Sequence, residues 1–338
     1  MGKIFGVPMT IHLATSEDIG RAVRRGLRLP LHFVSDNLLV GPCAKDPELH
    51  AEQRGLFWGF FEGRENSRFH TSFAKLGAAL QTHQPLVVWC SPLWSDTVML
   101  WAICAWRLHD LPSSPIMKIT LLGDAQAKGF AHGSIRLKPA DMRQGLDNAR
   151  ALSLTRIRDM ARLWRKLCGR TPILSAAHAG QRYKELLELG AYQAAFFPRI
   201  NSAGTLSLSR FDALLFLCLS DTWTTPAELF VHPSRAGEEL RKWLTHTGDI
   251  FLSMRLRQWA LHLGDKAALQ SDPCQPGNAM NEARYSLSQM GDRLKHNGLA
   301  DIAQGAPLRV WGARAYDPKA PWVLVVDSLG QESLLLDL

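Results

Sequence analysis

The segment Leu86–Cys90 constrains the fold of this chain more than any other. It reads Leu-Val-Val-Trp-Cys, five consecutive apolar residues, and it has the length of a strand. A strand without polar alternation is typical of the centre of a parallel sheet, where helices cover both faces. The sequence therefore predicts a buried parallel strand at this position.

Three further segments have the composition of strands, and helical patterns separate them. They lie at residues 9–15, 31–35 and 116–122. Strands that alternate with helices are typical of a doubly wound, Rossmann-like parallel sheet. We therefore expect an α/β domain over residues 9–125.

A helical segment, residues 126–204, is predicted to follow the sheet domain. It opens with a polar stretch that has the composition of a linker. From Leu154 onward, apolar residues recur at the spacing of one helix face, with basic residues on the other side. The apolar stripe consists of Ile157, Met160, Ala161, Trp164 and Leu167. We expect these helices to form a unit separate from the sheet.

Residues 205–300 have the element order of a winged helix-turn-helix. Three predicted helices are followed by a strand, a loop, a second strand and a closing helix, which is the layout of that motif. Thr225 is a capping residue for the second helix, and Pro226 suits its first position. Gly248 opens the third helix. A β-hairpin tail is predicted over residues 301–338.

The charge balance gives weak information about partners. Lysine and arginine number 39 against 31 acidic residues, a net charge of +8, and the basic residues are spread along the chain. Such a charge favours polyanionic partners but is also a usual solubility feature. The predicted outward face of the third helix carries Arg255, Arg257 and Gln258, which are the candidate contacts to nucleic acid.

Signals for export, membrane insertion and metal binding are not found in the sequence. The six cysteines form no CxxC pair, which is typical of a reduced compartment. No apolar run approaches the roughly 20 residues of a membrane span, and the N-terminus has no signal-peptide core. No cluster of His, Cys, Asp or Glu has metal-ligand spacing. We expect a soluble, cytoplasmic protein without a metal or cofactor.

Motifs of several common enzyme classes are also absent. There is no GxxxxGK[ST], no GxGxxG after a predicted strand, no HExxH and no GxSxG. His50-Ala51-Glu52 matches the first half of a zinc deaminase motif, but Gly277 stands where the last cysteine of the second half is required. The sequence leaves open whether the protein is an enzyme.

Candidate ligand-binding residues lie at the carboxyl ends of the predicted strands. In a parallel sheet, ligands bind beyond these ends, where loops and helix N-termini converge. Helix N-termini favour an anion, and an arginine would add positive charge. Individual serines and aspartates here are also typical helix caps, so only their convergence indicates a site. The candidates are Ser16, Asp36, Arg54, Ser91, Ser95 and Asp96.

Several short motifs resemble those of a bacterial family. They are His12, the Asp-Asn-Leu-Leu-Val-Gly-Pro stretch at 36–42, the Arg-Gly-Leu-Phe-Trp stretch at 54–58, and Trp89. They resemble a domain of unknown function (number eighteen thirty-five), and residues 152–167 and 248–256 are similar to its usual companion domain. The resemblance spans about residues 9–300. It implies a two-domain architecture and no particular activity. Relatives usually carry Glu where this chain has Asp96.

Three alternative functions follow from the sequence. The leading hypothesis is a two-part regulator or adaptor, with a small anionic or nucleotide-like ligand in the first domain and a winged helix that contacts nucleic acid or protein. The second is a transferase or hydrolase for a phosphorylated or nucleotide-like substrate, with Asp36 as general acid or base and Arg54 as anion clamp. The third is a partner protein that delivers a peptide or another enzyme, which an exposed Phe57 and Trp58 would indicate. The oligomeric state stays open.

Overall fold

The structure is a computed structural model, in which the chain forms two compact units. The first unit comprises residues 1–38 and 42–170, and the second comprises residues 39–41 and 171–338. The described residues are 10–34, 36–39, 41, 43–62, 67–112, 117–121, 139–168, 188–190, 192, 195–196, 199–200, 206–261, 267–272, 283–297, 323–326 and 332–335.

A five-stranded sheet forms the centre of the first unit. The strand order is β2-β1-β3-β4-β5. Strands β2, β1, β3 and β4 are parallel to one another, and β5 is antiparallel to β4. The strands are β1 (Ile11–Ala14), β2 (Leu31–Phe33), β3 (Leu86–Cys90), β4 (Met117–Leu121) and β5 (Arg150–Ala151). The predicted α/β class and mostly parallel sheet are therefore confirmed.

Strand β3 has the bounds that the sequence predicts, and all five of its side chains are buried. Both of its neighbours, β1 and β4, are parallel to it. A strand in this position has no solvent-facing side, which explains why its sequence contains no polar alternation.

Helices cover both faces of the sheet. They are α1 (Glu17–Leu27), α2 (Pro47–Glu62), α3 (Ser67–Gln81), α4 (Trp94–Asp110), α5 (Pro139–Asp147) and α6 (Leu154–Leu167). Ile19 and Val23 of α1 and Met142 of α5 pack on Val87 and Trp89 of β3, which defines one face. Helix α4 is buried nearly all round and packs against α3 and α6.

The predicted boundary at residue 125 differs from the observed one. Strand β5 extends the first sheet, and α6 packs along α4, so the first unit continues to Arg170. The apolar stripe on α6 is buried as the sequence indicates, including Ile157 and Trp164. The helix belongs to the first unit because α4 is apolar on every side and needs this second helix to cover it.

His50 lies at the centre of the helical layer of the first unit. Its ring is surrounded by those of Phe73, Trp106 and Trp164, with centroids 5.1, 5.2 and 5.5 Å away. Its Nδ1 accepts a hydrogen bond of 3.2 Å from the Ala44 amide. Burial lowers the pKa of His50 well below its ordinary value of 6.5. His50 is therefore a neutral core residue.

The second unit contains a four-stranded sheet with the order β11-β10-β6-β7 and a two-stranded sheet, β8-β9. Its strands are β6 (Arg199–Ile200), β7 (Leu206–Ser207), β8 (Leu269–Ser271), β9 (Tyr285–Leu287), β10 (Val323–Val326) and β11 (Glu332–Leu335). The antiparallel β10 and β11 are the hairpin that the sequence predicts in the tail. Strand β10 also pairs in parallel with β6.

The helices of the second unit are α7 (Arg210–Cys218), α8 (Pro226–Phe230), α9 (Arg235–Leu261) and α10 (Gln289–Asn297). Thr225 and Glu228 form a capping box at the start of α8, with Pro226 in its first turn. Gly248 interrupts α9 with a φ of 76°, a conformation that strains any residue with a side chain. The described elements follow the predicted order, and the winged-helix assignment stays a prediction.

Within the described residues, no helix combines the length and the apolar character that crossing a membrane requires.

Candidate functional site

The candidate site lies at the carboxyl ends of β1 and β3. In the order β2-β1-β3-β4, the chain leaves β1 toward β2 on one side and leaves β3 toward β4 on the other. Helix α1 follows β1 on the face to which Trp89 points. Cys90, the next residue, points to the opposite face and lies near Cys104 of α4. The loops after β1 and β3 therefore diverge, and ligands bind at such a switch point in doubly wound sheets.

Asp96 is the buried acid of this site. It lies in the first turn of α4 and is 2% exposed. Its Oδ2 accepts a hydrogen bond from the Ser91 hydroxyl at the end of β3. In the part of the chain that the structure describes, no group donates a hydrogen bond to its Oδ1. A buried carboxylate oxygen normally accepts a hydrogen bond, and here the surrounding fold supplies no donor.

Hydroxyl groups from β1 and β3 surround the Asp96 carboxyl. Burial raises the pKa of Asp96 to about 6, and hydrogen bonding by Ser91, Thr15 and Ser16 opposes this rise. Asp96 therefore changes its protonation state near neutral pH, which is typical of groups at functional sites.

Ser16 occupies the N-cap position of α1 that the sequence predicts, but its side chain makes no capping hydrogen bond. Its hydroxyl lies near Asp96 and helps to lower the pKa of that carboxyl. The position of Ser16 is thus confirmed, whereas the role of its hydroxyl differs from that of a typical cap.

Ser95 is not the N-cap of α4. The helix begins at Trp94 and the cap position is Leu93, so Ser95 lies inside the first turn. The Ser91 hydroxyl accepts a hydrogen bond of 3.2 Å from the Leu93 amide, which turns the chain before Ser95 is reached. Ser95 is half-buried and directly precedes Asp96 in this turn.

Asp36 and Arg54 form an ion pair with each other and are not available in the predicted roles. The Arg54 Nε donates to the Asp36 Oδ2 over 2.8 Å, and its Nη2 donates to the Asp36 Oδ1 and, over 3.1 Å, to the Asn37 carbonyl. Both side chains of the pair are fully buried. The Trp58 indole donates to the Asp36 Oδ1 over 2.9 Å. A carboxylate held by three donors cannot serve as a general base without breaking this cluster, and its arginine cannot clamp a ligand anion.

Arg255 is buried, and its predicted outward orientation is wrong. It is 1% exposed. Its Nε donates to the Asp212 Oδ1 over 2.6 Å, and its Nη1 donates to the Gln258 Oε1 over 3.0 Å. The Trp259 indole also donates to the Asp212 Oδ1, over 2.9 Å. The guanidinium enters the core because its charge is neutralised there.

The other two candidate contacts to nucleic acid, Arg257 and Gln258, are half-buried. The sequence contained a signal for the buried cluster that apolar periodicity missed. An arginine precedes a tryptophan by four residues both at 54–58 and at 255–259, and this spacing puts the two side chains on the same helix face.

Phe57 and Trp58 are buried, with 6% and 4% of their surface exposed. They would indicate a partner protein only if they were exposed, so they do not support that hypothesis. Exposed large apolar side chains occur in both units, at Leu49 and Leu56 in the first and at Leu217, Trp223 and Val231 in the second.

The described residues contain no group of three or more His, Cys, Asp or Glu side chains placed to hold a metal ion. Of the six predicted ligand-binding residues, the structure brings Ser16, Ser91 and Asp96 together.

No protein-family model matches the chain, and neither a curated protein nor a solved structure is significantly similar to it. The resemblance of the short motifs to a bacterial domain family therefore stays a prediction.

Proposed function

We propose that the protein is a two-part regulator or adaptor whose first unit binds a small ligand at the β1–β3 site. The observation that carries this proposal is the Asp96 carboxyl, buried at the switch point with a free Oδ1 among the hydroxyls of Thr15, Ser16 and Ser91. An acceptor buried without a donor costs roughly 1–3 kcal/mol, and more when it is charged. A ligand that donates a hydrogen bond removes this cost.

The proposed partner of the second unit is nucleic acid or protein, contacted through a winged-helix-like fold. The order of α7, α8, α9, β8, β9 and α10 supports this layout, as does the antiparallel pairing of β8 with β9.

Ligand binding is tested by native mass spectrometry of the gently purified full-length protein. Wild type is compared with Asp96→Asn, which keeps the shape of the side chain, and with Asp18→Asn, which changes an exposed acid in the first turn of α1. We expect bound mass on wild type and Asp18→Asn and its loss from Asp96→Asn. Equal occupancy in all three proteins would place the ligand elsewhere, and no bound mass under any condition would reject the binding role.

The partner class is tested by titrating duplex DNA into the full-length protein at several salt concentrations. Phosphate contacts dominate binding to DNA, so specific involvement of nucleic acid requires an affinity that falls steeply with salt. Replacing Arg257 by Gln is then expected to weaken binding, with Arg158→Gln on α6 as a matched control. Binding that does not depend on salt, or no binding, would reject nucleic acid and leave the protein partner.

A second candidate function is an enzyme in which Asp96 is the general acid or base. The specific observation is the Ser91 hydroxyl hydrogen bond to an acid whose pKa is about 6. A group with this pKa exchanges protons efficiently near neutral pH. Any turnover found should follow a single ionisation near pH 6 and disappear in Asp96→Asn. Turnover that survives this substitution would exclude Asp96 from the chemistry.

A further inference from the structure

We infer that the β1–β3 site takes a neutral or cationic molecule bearing hydroxyl or amine donors, rather than a phosphate-bearing anion. This inference rests on the proposed ligand-binding function and specifies its ligand class.

The charge of the site is the first argument. The first turns of α1 and α4 contain Glu17, Asp18 and Asp96 and no basic residue. Helix N-termini attract anions, but acidic residues in the first turn already offset the helix dipole. A phosphate placed beside Asp96 would be repelled by this buried carboxylate.

The second argument is that Arg54 is already bound to other groups of the protein. It is the positive charge that an anion site at this edge of the sheet was expected to use. Its guanidinium instead binds Asp36 and the Asn37 carbonyl, and neither side chain of the ion pair is exposed to solvent. Removing Arg54 from this pair to bind a ligand would leave Asp36 buried and uncompensated, which costs several kcal/mol.

Hydrogen-bond complementarity is the third argument. An ionised carboxylate accepts hydrogen bonds and donates none, and a fully ionised phosphate does the same. The free Oδ1 of Asp96 therefore needs a donor. Hydroxyl and ammonium groups are donors.

The side chains that face Asp96 reinforce this preference. Ser91, Thr15 and Ser16 are neutral hydroxyls, and burial together with Asp96 raises the pKa of the nearby Cys90 thiol well above its ordinary value. Cys90 is therefore neutral across the physiological range. Asp96 carries the charge that the ligand meets in this cluster.

The test is equilibrium dialysis of the full-length protein against a defined library of matched pairs. Each nucleoside, sugar or amino alcohol is present both unmodified and phosphorylated, and mass spectrometry measures the bound fraction of each. We expect wild type to enrich an unphosphorylated compound at least tenfold over its phosphorylated partner. Asp96→Asn should lose this enrichment, and Asp147→Asn, which changes an exposed acid at the end of α5, should keep it.

The outcomes distinguish a failure of the inferred ligand class from a failure of ligand binding itself. Enrichment of phosphorylated members by wild type would overturn the ligand class while leaving ligand binding intact. Enrichment that is unchanged in Asp96→Asn, with native circular dichroism, would also overturn the inference, because Asp96 would not be its determinant. Failure of wild type to enrich any member would overturn ligand binding itself. The ratio within each pair is measured on wild type and so does not depend on the folding of a variant.

Discussion

Arg54 and Trp58 lie one helical turn apart on α2 and donate hydrogen bonds to the same carboxylate, that of Asp36. Arg255 and Trp259 of α9 bind Asp212 in the same manner. In both clusters the guanidinium carbon lies over the indole ring, at 5.4 Å from its centroid in the first and 5.9 Å in the second. Each unit therefore contains a buried Asp–Arg–Trp cluster that joins a helix to a segment distant in sequence.

Replacing Arg54 by Leu is expected to lower the free energy of unfolding by about 3–5 kcal/mol, because it leaves the Asp36 charge buried without its partner. Urea unfolding followed by far-UV circular dichroism measures this change. Arg158→Leu, at an exposed position on α6, is the control and should change stability by less than about 0.5 kcal/mol. Equal effects of the two substitutions would contradict the importance of the pair.

Replacing Trp259 by Phe keeps most of the ring packing and removes the indole donor to Asp212. We expect a loss of about 1.5–3 kcal/mol, since a hydrogen bond to a charged group contributes this amount. In the double variant with Arg255→Leu, the losses should not add, because both side chains serve the same carboxylate. Additive losses in urea unfolding would show that the two donors act independently.

Asp96→Asn is expected to stabilise the protein at pH 8. The pKa of Asp96 is raised by burial from 3.8 to about 6, so its contribution to stability is present at low pH and is lost as pH rises through 6. The amide removes this penalty, which is on the order of 3 kcal/mol at pH 8 and close to zero at pH 4. Unfolding by urea at both pH values measures the difference. A variant less stable than wild type at pH 8 would contradict the unsatisfied state of Asp96.

Protonation of His50 is expected to destabilise the first unit below pH 6.5. Burial lowers the pKa of His50 in the folded state, so the unfolded chain binds a proton first and stability falls as the pH drops below the ordinary value. Stability should therefore fall less steeply between pH 7 and pH 5 in His50→Leu than in wild type. His109→Gln, which alters a largely exposed imidazole, is the control for removing a histidine. Identical slopes for wild type and His50→Leu would reject this assignment.

Two glycine substitutions should have opposite effects. Gly248 has a φ of 76°, so Gly248→Ala is expected to cost about 1–2 kcal/mol. Gly77 lies within helix α3, and a methyl group there would meet no atom within 4 Å. Gly77→Ala should therefore stabilise the protein by roughly 0.5–1 kcal/mol. Thermal unfolding of both variants checks the signs, and a stabilising Gly248→Ala would contradict the break in α9.

Features that depend on local sequence were predictable. Strand β3 was identified by its apolar run and the start of α8 by Thr225 and Pro226. Gly248, predicted to open a separate helix, instead marks a break inside α9. Each of these depends on residues close together in the chain. Local sequence also indicated that Ser16, Ser91 and Asp96 converge, because the carboxyl ends of adjacent parallel strands meet at one edge of a sheet.

Features that depend on distant partners were not predictable. Arg255 was expected to face solvent because the helical stripe was counted from apolar residues alone. Its burial requires Asp212, which lies 43 residues away. The same reason applies to Arg54, whose partner Asp36 is 18 residues away. It applies also to α6, because its place in the first unit depends on tertiary packing against α4. Periodicity reports which face of a helix is apolar, but it does not report which charges are neutralised by another segment.

The parallel pairing of β10 with β6 has a consequence for the order in which the protein acquires its structure during synthesis. Leu324 pairs with Arg199, so one edge of β6 stays unpaired until β10 has been synthesised, whereas β7 follows β6 closely in the chain. The strands of the first sheet are all made by residue 151. The nascent protein can therefore complete its first sheet while the second sheet still has an open strand edge. That edge stays open until β10 emerges, and this interval is when chaperones would be of most use to the protein.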